Sequence, residues 1–446
     1  MPEWALPIDP ALRRLLVEAL AAERDSDWLL AASHYQAALQ LQPDDHRLEC
    51  NAANALWLAD RPEEAMAGFR RAVELAPQEP LPWRGLGNAA RDNNRFGSAV
   101  RAYRRSSAQG DDPLTDWNLS QVLLGLGRYR EAFRQAERRL FVAGLEPFYQ
   151  GPGWDGSTAS MQRAQAEGIP LHVWSEQGFG DTLQFLRWLK PLTASLPDGG
   201  PGVVLLVEPP LVPLLKQGLG WLDGTFAVRA KGDGPGLPLG WEQHHISLQS
   251  LPHRLNQGHW VHPRQCGIGP WLRLGPRTSH EQLQRPSGPP RVGILWAAGR
   301  KLTDGFTRRE YQKRSLSPNA LGRLVEGLRA SGAEVVALQH GPDRDQIAPW
   351  RHHLAGELAA DADFLATALL LDQLELVITV DTAMAHLAGC LAQPAWVLLP
   401  WSADPRWLRQ RSDSPWYPSL RLFRQPRSGD WDTAIGAVLN AFRTPT

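Results

Sequence analysis

The sequence predicts an α + α/β protein in which an N-terminal α-solenoid of helical repeats precedes two Rossmann-like lobes. Small residues recur at nearly constant steps through the first third of the 446-residue chain. Beyond residue 145, short apolar segments alternate with helical ones. A proline- and glycine-rich stretch at 285–290 divides this second part. We therefore expect three domains, at 1–145, 146–290 and 291–446.

The composition excludes several classes of protein. Apolar residues make up 43% and charged residues 21%, which argues against disordered and fibrous chains. Lys+Arg is 47 and Asp+Glu is 47, so nucleic-acid binding is disfavoured. The three cysteines are widely spaced, the first residues lack a secretory pattern, and no apolar run is long enough to span a bilayer. We expect a cytoplasmic protein with no nucleic-acid partner and no membrane span.

The repeat is defined by small residues spaced 34, 34 and 33 positions apart, at Ala31, Ala65, Ala99 and Ala132. The same steps link Ala19, Ala53, Gly87 and Ser120. Small residues at two fixed points let paired helices approach closely, and an aromatic side chain such as Tyr103 fills the gap to the next unit. This pattern matches the tetratricopeptide repeat, with about four units over residues 10–145.

Stacked repeats of this kind form a superhelix whose concave groove can hold a peptide or another protein. Four asparagines are candidates for contact with a peptide backbone: Asn54, Asn88, Asn93 and Asn94. In the alternative interpretation, these asparagines are solvated helix ends and the repeats only pack against the rest of the chain. A polypeptide partner is thus one of two open expectations for the repeats.

The rest of the chain is predicted to form two series of alternating strands and helices. In the first series, strands are predicted at 171–176 and 203–208, with loops at 196–202 and 231–240. In the second, strands are predicted at 291–296, 334–339, 374–380 and 420–425, and a further strand ends at residue 400. Helices are predicted at about 318–331, 362–373 and 383–392 and at the C-terminus. The alternation favours parallel sheets, in which ligands bind beyond the carboxyl ends of the strands.

The segment VDTAMAHLAG (380–389) places polar residues where a strand ends and a helix begins. Either Asp381 or Thr382 can cap the helix. The free N–H groups and the dipole at its start favour a phosphate, and His386 lies one turn further along the same face. The alternative is a well-capped helix with a packed histidine.

The segment EQGFGD (176–181) follows the first predicted strand. Gly178 and Gly180 permit tight turns and a close approach of the backbone. Asp181 opens the next helix, and spacing alone favours a helix N-cap. As a carboxylate at the mouth of a cleft, it can instead take a proton from an acceptor hydroxyl.

Between Arg291 and Arg314, seven basic residues stand against two acidic ones. Residues 297–312 of this segment are predicted to form the loop after the strand at 291–296, where their charge can neutralise a diphosphate leaving group. Lys313 and Arg314 are the preferred candidates, and a solvated basic loop is the alternative. Gln339 also follows a strand, so it is either a nucleoside contact or a loop residue.

No cluster of His, Cys or carboxylates has metal-ligand spacing. Asp361 and Asp363 form a D-x-D pattern, but they precede an apolar helix, so capping explains them better. We therefore expect neither a metal nor a cofactor.

Seven motifs occur in a characteristic order: EQGFGDTLQF (176–185), ISLQSLP (246–252), VGILWAAG (292–299), KRSLSP (313–318), VVALQHG (335–341), VITVDTAMAHLAG (377–389) and PRWLRQRSDSPWYPSLRLFRQ (405–425). With them, residues 171–425 resemble the heptosyltransferase-like glycosyltransferases that occur fused to tetratricopeptide repeats in bacteria. The likeness to the O-GlcNAc transferase architecture is weaker. The resemblance implies a GT-B fold and metal-independent, inverting transfer of a sugar from a nucleotide-sugar donor.

The resemblance also implies roles for individual residues. Asp181 matches the general base that ends the glycine loop, and Lys313 matches the basic residue that steadies the phosphates. The D-[ST]-x-x-x-H segment around the donor diphosphate corresponds to Asp381, Thr382 and His386. With the candidates from spacing, the expected donor-binding residues are Gly178, Gly180, Lys313, Arg314, Gln339, Asp381, Thr382 and His386.

The expected acceptor is a protein or peptide held by the repeats. Two alternatives remain open. One is a catalytically degenerate scaffold that uses the repeats for protein–protein interaction, and the other is a transferase that acts on a lipid or polysaccharide.

Overall fold

The computed structural model describes residues 9–142, 144, 147–151, 153–196, 202–222, 226–234, 236–237, 244–255, 269–275, 288–300 and 302–444. The chain divides into two compact units. The first consists of Met1–Leu145, Lys301–Gln312 and Asp404–Arg409, and the second of Glu146–Arg300, Lys313–Ala403 and Gln410–Thr446. Residues 285–287 of the predicted linker, most of the predicted loop 196–202, part of the predicted loop 231–240, and Cys266 lie outside the described residues.

Four pairs of helices make up the N-terminal part of the first unit, as the spacing predicts. They are α1 Pro10–Arg24, α2 Trp28–Leu41, α3 His46–Leu58, α4 Pro62–Leu75, α5 Pro80–Asp92, α6 Phe96–Gln109, α7 Pro113–Gly125 and α8 Tyr129–Ala136. Proline begins four of these helices, at a position where its missing N–H has no intrahelical partner to lose. The turn within each pair contains a residue of positive φ, namely Ser26, Asp60, Asn94 and Gly127.

The repeated small residues are buried between helices. Ala31, Ala65 and Ala99 are fully buried. A Cβ added at Gly87 would lie 2.5 Å from the ring of Tyr103, so only glycine permits this contact. The small residues therefore allow the close helix packing that the sequence predicts.

Two later segments of the chain pack on these helices within the same unit. Gly305 lies so close to Trp28 that an added Cβ would be 2.1 Å from the indole ring. Phe306 stacks on Trp57 with ring centroids 5.8 Å apart. The turn Pro405–Trp407 packs on α7. The repeats therefore pack against another part of their own chain, which is one of the two interpretations that the sequence leaves open.

The first lobe of the second unit contains a parallel sheet in the order β3-β2-β1-β4. Its strands are β1 Leu171–Trp174, β2 Val203–Val207, β3 Phe226–Ala230 and β4 His245–Ser247. Its helices are α9 Thr158–Glu167, α10 Phe179–Phe185, α11 Leu189–Ser195, α12 Val212–Gly218 and α13 Leu251–Arg254. The apolar runs of β1 and β2 are buried throughout, as is typical of central parallel strands.

The second lobe contains a parallel sheet in the order β10-β9-β8-β5-β6-β7. Its strands are β5 Arg291–Leu295, β6 Glu334–Ala337, β7 Leu354–Glu357, β8 Leu376–Val380, β9 Ala395–Leu399 and β10 Leu420–Arg424. Its helices are α15 Pro318–Ala330, α16 Phe364–Leu371, α17 Ala383–Cys390 and α18 Trp431–Arg443, and α14 Gly305–Arg314 follows β5. The predicted fold class is confirmed: helical repeats precede two Rossmann-like lobes.

The strand order reverses at the first strand of each sheet. The chain places β2 on one side of β1 and β4 on the other, and likewise β6 and β8 on opposite sides of β5. Such reversals open a crevice beyond the carboxyl ends of the strands, where open α/β sheets bind ligands. The residues that follow β1, β4, β5 and β8 are therefore the candidates for a site.

Candidate functional site

The turn after β1 carries the glycine motif to the reversal point of the first sheet. Gln177 has a φ of 60°, and Gly178 caps α10. Asp181 is half-buried at the third position of the helix, where its carboxylate accepts the Gly178 N–H at 3.2 Å. The expectation that Asp181 caps the helix is wrong, because the helix begins two residues earlier and the carboxylate closes back on the true cap.

The end of β4 supports this turn from the other side of β1. Ser247 Oγ donates a hydrogen bond to the Glu176 carboxylate, and Gln249 Nε2 donates to the Glu176 carbonyl at 3.4 Å. The Gln249 N–H in turn donates to Ser247 Oγ at 3.1 Å. The sequence marks Ser247 and Gln249 only as part of a motif. Their position after an apolar strand is the signal by which this supporting role could have been found.

In the second lobe, the turn after β8 places Asp381 and Thr382 at the reversal point. Asp381 is buried, and Thr382 is the cap of α17, since its Oγ1 accepts the Met384 N–H at 3.2 Å. Of the two predicted capping residues, the structure selects Thr382. The first N–H groups of α17 and the helix dipole make this end of the helix favourable for an anion.

Two arginines lie beside this turn. Arg314 donates from Nη1 to the Asp381 carbonyl at 3.3 Å. Burial lowers the pKa of Arg424 to about 10, although the nearby Asp381 carboxylate favours its charged form. Arg424 ends β10, and the sequence analysis did not select it. Lys313, the preferred cation by resemblance, is half-buried beside Arg314 at the end of α14.

The rest of the basic segment has a different structure from the one predicted. The prediction of a loop at 297–312 is wrong from Gly305 onward, where α14 forms. Arg309 belongs to the first unit and is 3% exposed. Its Nη2 donates to Asp60 Oδ1 at 3.0 Å, and its Nη1 is 2.8 Å from Asp92 Oδ2. Arg309 is thus held by carboxylates of the repeats rather than solvated, and Lys301 lies outside the described residues.

Gln339 holds the turn after β5. Its side-chain oxygen accepts the N–H groups of Trp296 at 3.2 Å and Ala297 at 2.9 Å, and its Nε2 donates to the His340 carbonyl at 3.1 Å. The amide therefore shapes the backbone at the reversal point of the second sheet. Contact between Gln339 and a nucleoside stays a prediction.

The two candidate turns meet within the second unit. A Cβ added at Gly180 would lie 2.9 Å from His386 Cδ2 and 3.4 Å from Ala383 Cα, so glycine allows the start of α10 to contact α17. The rings of Phe179 and Phe364 pack edge to face with centroids 4.9 Å apart. The structure therefore brings together the glycine motif of the first lobe and the D-[ST]-x-x-x-H segment of the second.

The D-x-D pattern has the structural role that the sequence favours. Asp363 Oδ1 accepts the Ala366 N–H at 2.8 Å and caps α16. Within the part of the chain that is described, no three His, Cys, Asp or Glu side chains are placed to hold a metal ion. No described helix is long and apolar enough to cross a membrane.

Residues 16–80 and 84–143 match the tetratricopeptide repeat family model, in agreement with the four helix pairs. Protein FlbA of Caulobacter vibrioides is 26% identical to the chain over 473 residues, which cover 92% of this chain and 74% of that protein. The chain therefore contains tetratricopeptide repeats and is similar to FlbA over most of its length.

Two solved structures are similar to parts of the chain. The structure of E. coli ADP-heptose lps heptosyltransferase II aligns with a TM-score of 0.43 at 14% identity, over 62% of this chain and 98% of that one. The crystal structure of MamA protein aligns with a TM-score of 0.28 at 16% identity, over 30% of this chain and 73% of that one.

Proposed function

We propose that this chain is a metal-independent, inverting glycosyltransferase that moves a sugar from a nucleotide-sugar donor to a polypeptide acceptor. The observation that carries the proposal is the contact between Gly180 and His386. It joins the two motifs that the resemblance assigns to the general base and to the donor diphosphate. Each motif also follows a strand at the reversal point of its sheet, where an α/β protein binds its ligand.

The donor diphosphate is proposed to lie at the start of α17. The Thr382 turn lies at the positive end of the α17 dipole, and Arg314 places a guanidinium on the carbonyl of Asp381. A planar guanidinium can bind two phosphate oxygens at once, and Lys313 adds a second cation. These groups would also stabilise the transition state electrostatically, because negative charge grows on the leaving diphosphate as its bond to the sugar breaks.

Asp181 is the proposed general base. Its carboxylate lies on the first turn of α10, one residue after the glycine that contacts His386. In the proposed step, the acceptor oxygen or nitrogen bonds to the anomeric carbon as its proton passes to Asp181. The bond from that carbon to the phosphate oxygen breaks, and the nucleoside diphosphate leaves with inverted stereochemistry at the sugar.

The repeats are proposed to hold the polypeptide acceptor. Asn54 is exposed on α3, and Asn88 on α5 accepts hydrogen bonds from Tyr103 and Asn118 through its side-chain oxygen. The other two candidate asparagines lie in the turn between α5 and α6, where a peptide in the groove is less accessible to them. We assign acceptor contact to Asn54 and Asn88. The free thiols Cys50 and Cys390 fit a cytoplasmic location.

The tight contact at Gly180 also favours a second candidate, a scaffold protein whose lobes no longer turn over a donor. Such a protein would use the repeats for binding and keep the lobes closed on each other. A lipid or polysaccharide acceptor, by contrast, has no specific support in the described residues.

Calorimetry of the full chain with UDP-, GDP-, ADP- and CDP-sugars separates the two candidates. The enzyme is expected to bind one class of donor and to hydrolyse it slowly without an acceptor. Asp181→Ala is expected to retain binding and lose turnover, whereas Lys313→Ala loses affinity. The absence of binding to any of these nucleotide sugars, together with binding of a peptide by the full chain, favours the scaffold. Undiminished turnover in both variants rejects the assigned roles.

A further inference from the structure

Arg187 is a charged side chain enclosed by aromatic rings. It lies two residues after the end of α10 and is 1% exposed. Its guanidinium carbon is 4.4 Å from the ring centre of Trp271, 5.0 Å from that of Trp416 and 4.9 Å from that of Tyr417. Among the described residues, its Nη2 has no hydrogen-bond acceptor. Cation–π contacts with these rings therefore offset part of the cost of burying the charge.

Two hydrogen bonds fix the orientation of this guanidinium. Nε donates to the Gln184 carbonyl at 2.9 Å, near the end of α10, and Nη1 donates to the Trp416 carbonyl at 2.9 Å, in the segment that precedes β10. Because the planar fork holds its donors in a rigid geometry, both bonds form together only within a narrow range of separations of the two carbonyls. Arg187 thus joins α10 of the first lobe to a segment of the second lobe.

The segment that accepts this bond is packed on the end of α17. The ring of Tyr417 lies so close to Gly389 that an added Cβ there would be 2.3 Å away. The end of α17 also contacts α10 directly, since Cys390 Sγ donates to the Leu183 carbonyl at 3.1 Å. Burial raises the pKa of the Cys390 thiol to about 12, so the thiol keeps its proton. Two successive carbonyls of α10 are therefore held against α17, one directly and one through Arg187.

Asp181 lies on the same short helix. It is in the first turn of α10, and at a rise of about 1.5 Å per residue its backbone is only about 4.5 Å along the axis from that of Gln184. The first turn also contacts α17 through Gly180. A shift at the end of so short a helix therefore moves Asp181 relative to the start of α17, where the donor is proposed to bind.

We propose that Arg187 is a positioning residue that holds the Asp181 carboxylate at the distance from the acceptor that proton transfer requires. The inference rests on the proposed function for the reaction, and it adds a residue that touches neither donor nor acceptor. A general base must lie within hydrogen-bond reach of the proton that it takes, and a misplacement of about 1 Å can reduce turnover about 10²-fold. Loss of the Arg187 bridge is therefore expected to lower turnover and to leave donor affinity nearly unchanged.

The first test compares Arg187→Met with the wild-type full chain in the hydrolysis of UDP-glucose, GDP-mannose, ADP-glucose and CDP-glucose. For the donor that the wild type hydrolyses, we expect kcat to fall about 10- to 100-fold, while the Kd measured by calorimetry changes less than about twofold. The matched control is Arg139→Met, which replaces an arginine of the repeats that is also 1% exposed and should keep the wild-type kcat. Equal kcat in the two variants overturns the inference and leaves the proposed function standing.

Arg187→Lys tests the same bridge with the charge retained, and it gives a result even if Arg187→Met does not fold. Lysine has one compact ammonium group in place of the planar fork, so it cannot join the two carbonyls in the same geometry. We expect kcat to fall in the same direction as in Arg187→Met. A wild-type kcat in Arg187→Lys shows that the fork is not needed and overturns the inference.

A double variant separates an effect on Asp181 from a general distortion of the protein. If Arg187 acts through Asp181, Arg187→Met should cause little further loss of kcat in the Asp181→Asn background, where the base is already absent. A general distortion lowers kcat by the same factor in both backgrounds, and that result overturns the inference. Failure of the wild type to bind or hydrolyse any of the four donors rejects the proposed function and the positioning role together.

Discussion

Gly180 is required by a contact rather than by its backbone conformation. Its φ is not among the positive values, yet an added Cβ would lie 2.9 Å from His386. The residue therefore lets two helix starts from different lobes approach each other. A glycine in a loop motif is usually interpreted as a turn residue, and here packing explains its presence.

We expect Gly180→Ala to lower the free energy of unfolding by about 1–3 kcal/mol, because the new methyl group overpacks the contact with His386. Urea denaturation followed by circular dichroism measures the change. The matched control is Gly436→Ala in α18, where nothing lies within 4 Å of the added Cβ. That substitution should stabilise the helix by up to about 1 kcal/mol. Equal effects of the two variants contradict the packing explanation.

Asp181 and Asp363 offer a matched pair of acidic residues at helix starts. In a donor-hydrolysis or transfer assay, Asp181→Asn is expected to reduce turnover by about 10²–10⁴-fold with donor affinity nearly unchanged, because the general base is lost. Asp363→Asn keeps a good capping residue on α16 and should leave turnover unchanged. Full activity of Asp181→Asn excludes its role as the base.

At the scale of elements, α14 shows how a basic segment is held by the repeats. Burial alone would lower the pKa of Arg309, but Asp92, Glu310 and Asp60 raise it above the ordinary value. Asp92 also accepts hydrogen bonds from Trp57 Nε1 at 2.8 Å and from Arg91 Nε at 2.9 Å. The carboxylate thus joins three helices of the first unit.

We expect Arg309→Met to destabilise the protein by about 3–5 kcal/mol, because it leaves buried carboxylates without their charge partner. Chemical denaturation measures this. Arg104→Met is the control, since the ion pair of Arg104 with Glu131 at 2.7 Å is half-exposed and is worth about 0–1 kcal/mol. A loss below about 1 kcal/mol in Arg309→Met would show that the buried pair contributes no more than a surface one.

The first sheet contains a pair of buried histidines. His172 and His245 are register partners on β1 and β4; Tyr149 lies 2.9 Å from His172 Nδ1, and Trp174 donates to His245 Nδ1 at 3.2 Å. Burial lowers the pKa of each below the ordinary value of 6.5, and the neighbouring positive charge of Arg229 adds to this for His172.

These shifts predict acid sensitivity. The fold keeps both histidines neutral, while the unfolded chain takes up protons below about pH 6.5. The contribution of the two neutral histidines to the free energy of unfolding is therefore fully present above that pH. It is lost as the pH falls through about 6.5 toward the lowered pKa values of the folded state. The thermal midpoint should drop between about pH 7.5 and pH 5, and the drop should be smaller in His172→Gln/His245→Gln. The exposed His352→Gln should keep the wild-type slope, and an unchanged slope in the double variant contradicts this origin.

The sequence predicts the strongly apolar elements well. It locates β1, β2, β5, β6, β8 and β9, because parallel strands that are mostly buried read as apolar runs. It also locates β10, an edge strand in which Arg421 is exposed. It misses β3, which is only partly buried, β4, which has three residues, and β7, whose LAGE sequence contains a glycine. It also misses α14, whose polar surface carries no apolar stripe and whose stability comes from residues of the repeats that are distant in sequence.

At the scale of the whole molecule, motif order predicts which residues meet, but not how they are supported. The sequence places Asp181 and Thr382 after strands, and the reversal of strand order explains why such positions converge. The sequence does not single out Arg424, because it follows no recognisable glycine or capping pattern. Its position beside Asp381, more than thirty residues away in sequence, requires the fold.

The domain organisation shows the same limit. Linkers and repeat periodicity divide a chain in sequence order, whereas the first unit also includes Lys301–Gln312 and Asp404–Arg409. These later segments join the first unit through contacts with the repeats, here of Gly305 with the Trp28 ring and of Phe306 with Trp57. The repeats and the two lobes are predictable from sequence, while the assignment of these two segments requires the fold.

The most direct measurement is a crystal structure of the full chain with the nucleotide sugar that calorimetry identifies. The account predicts the diphosphate within hydrogen-bonding distance of the N–H groups that follow Thr382, with Arg314 turned toward its oxygens and the sugar facing Asp181. A nucleotide bound elsewhere, or a start of α17 still filled by the protein's own side chains at saturating donor, would contradict it.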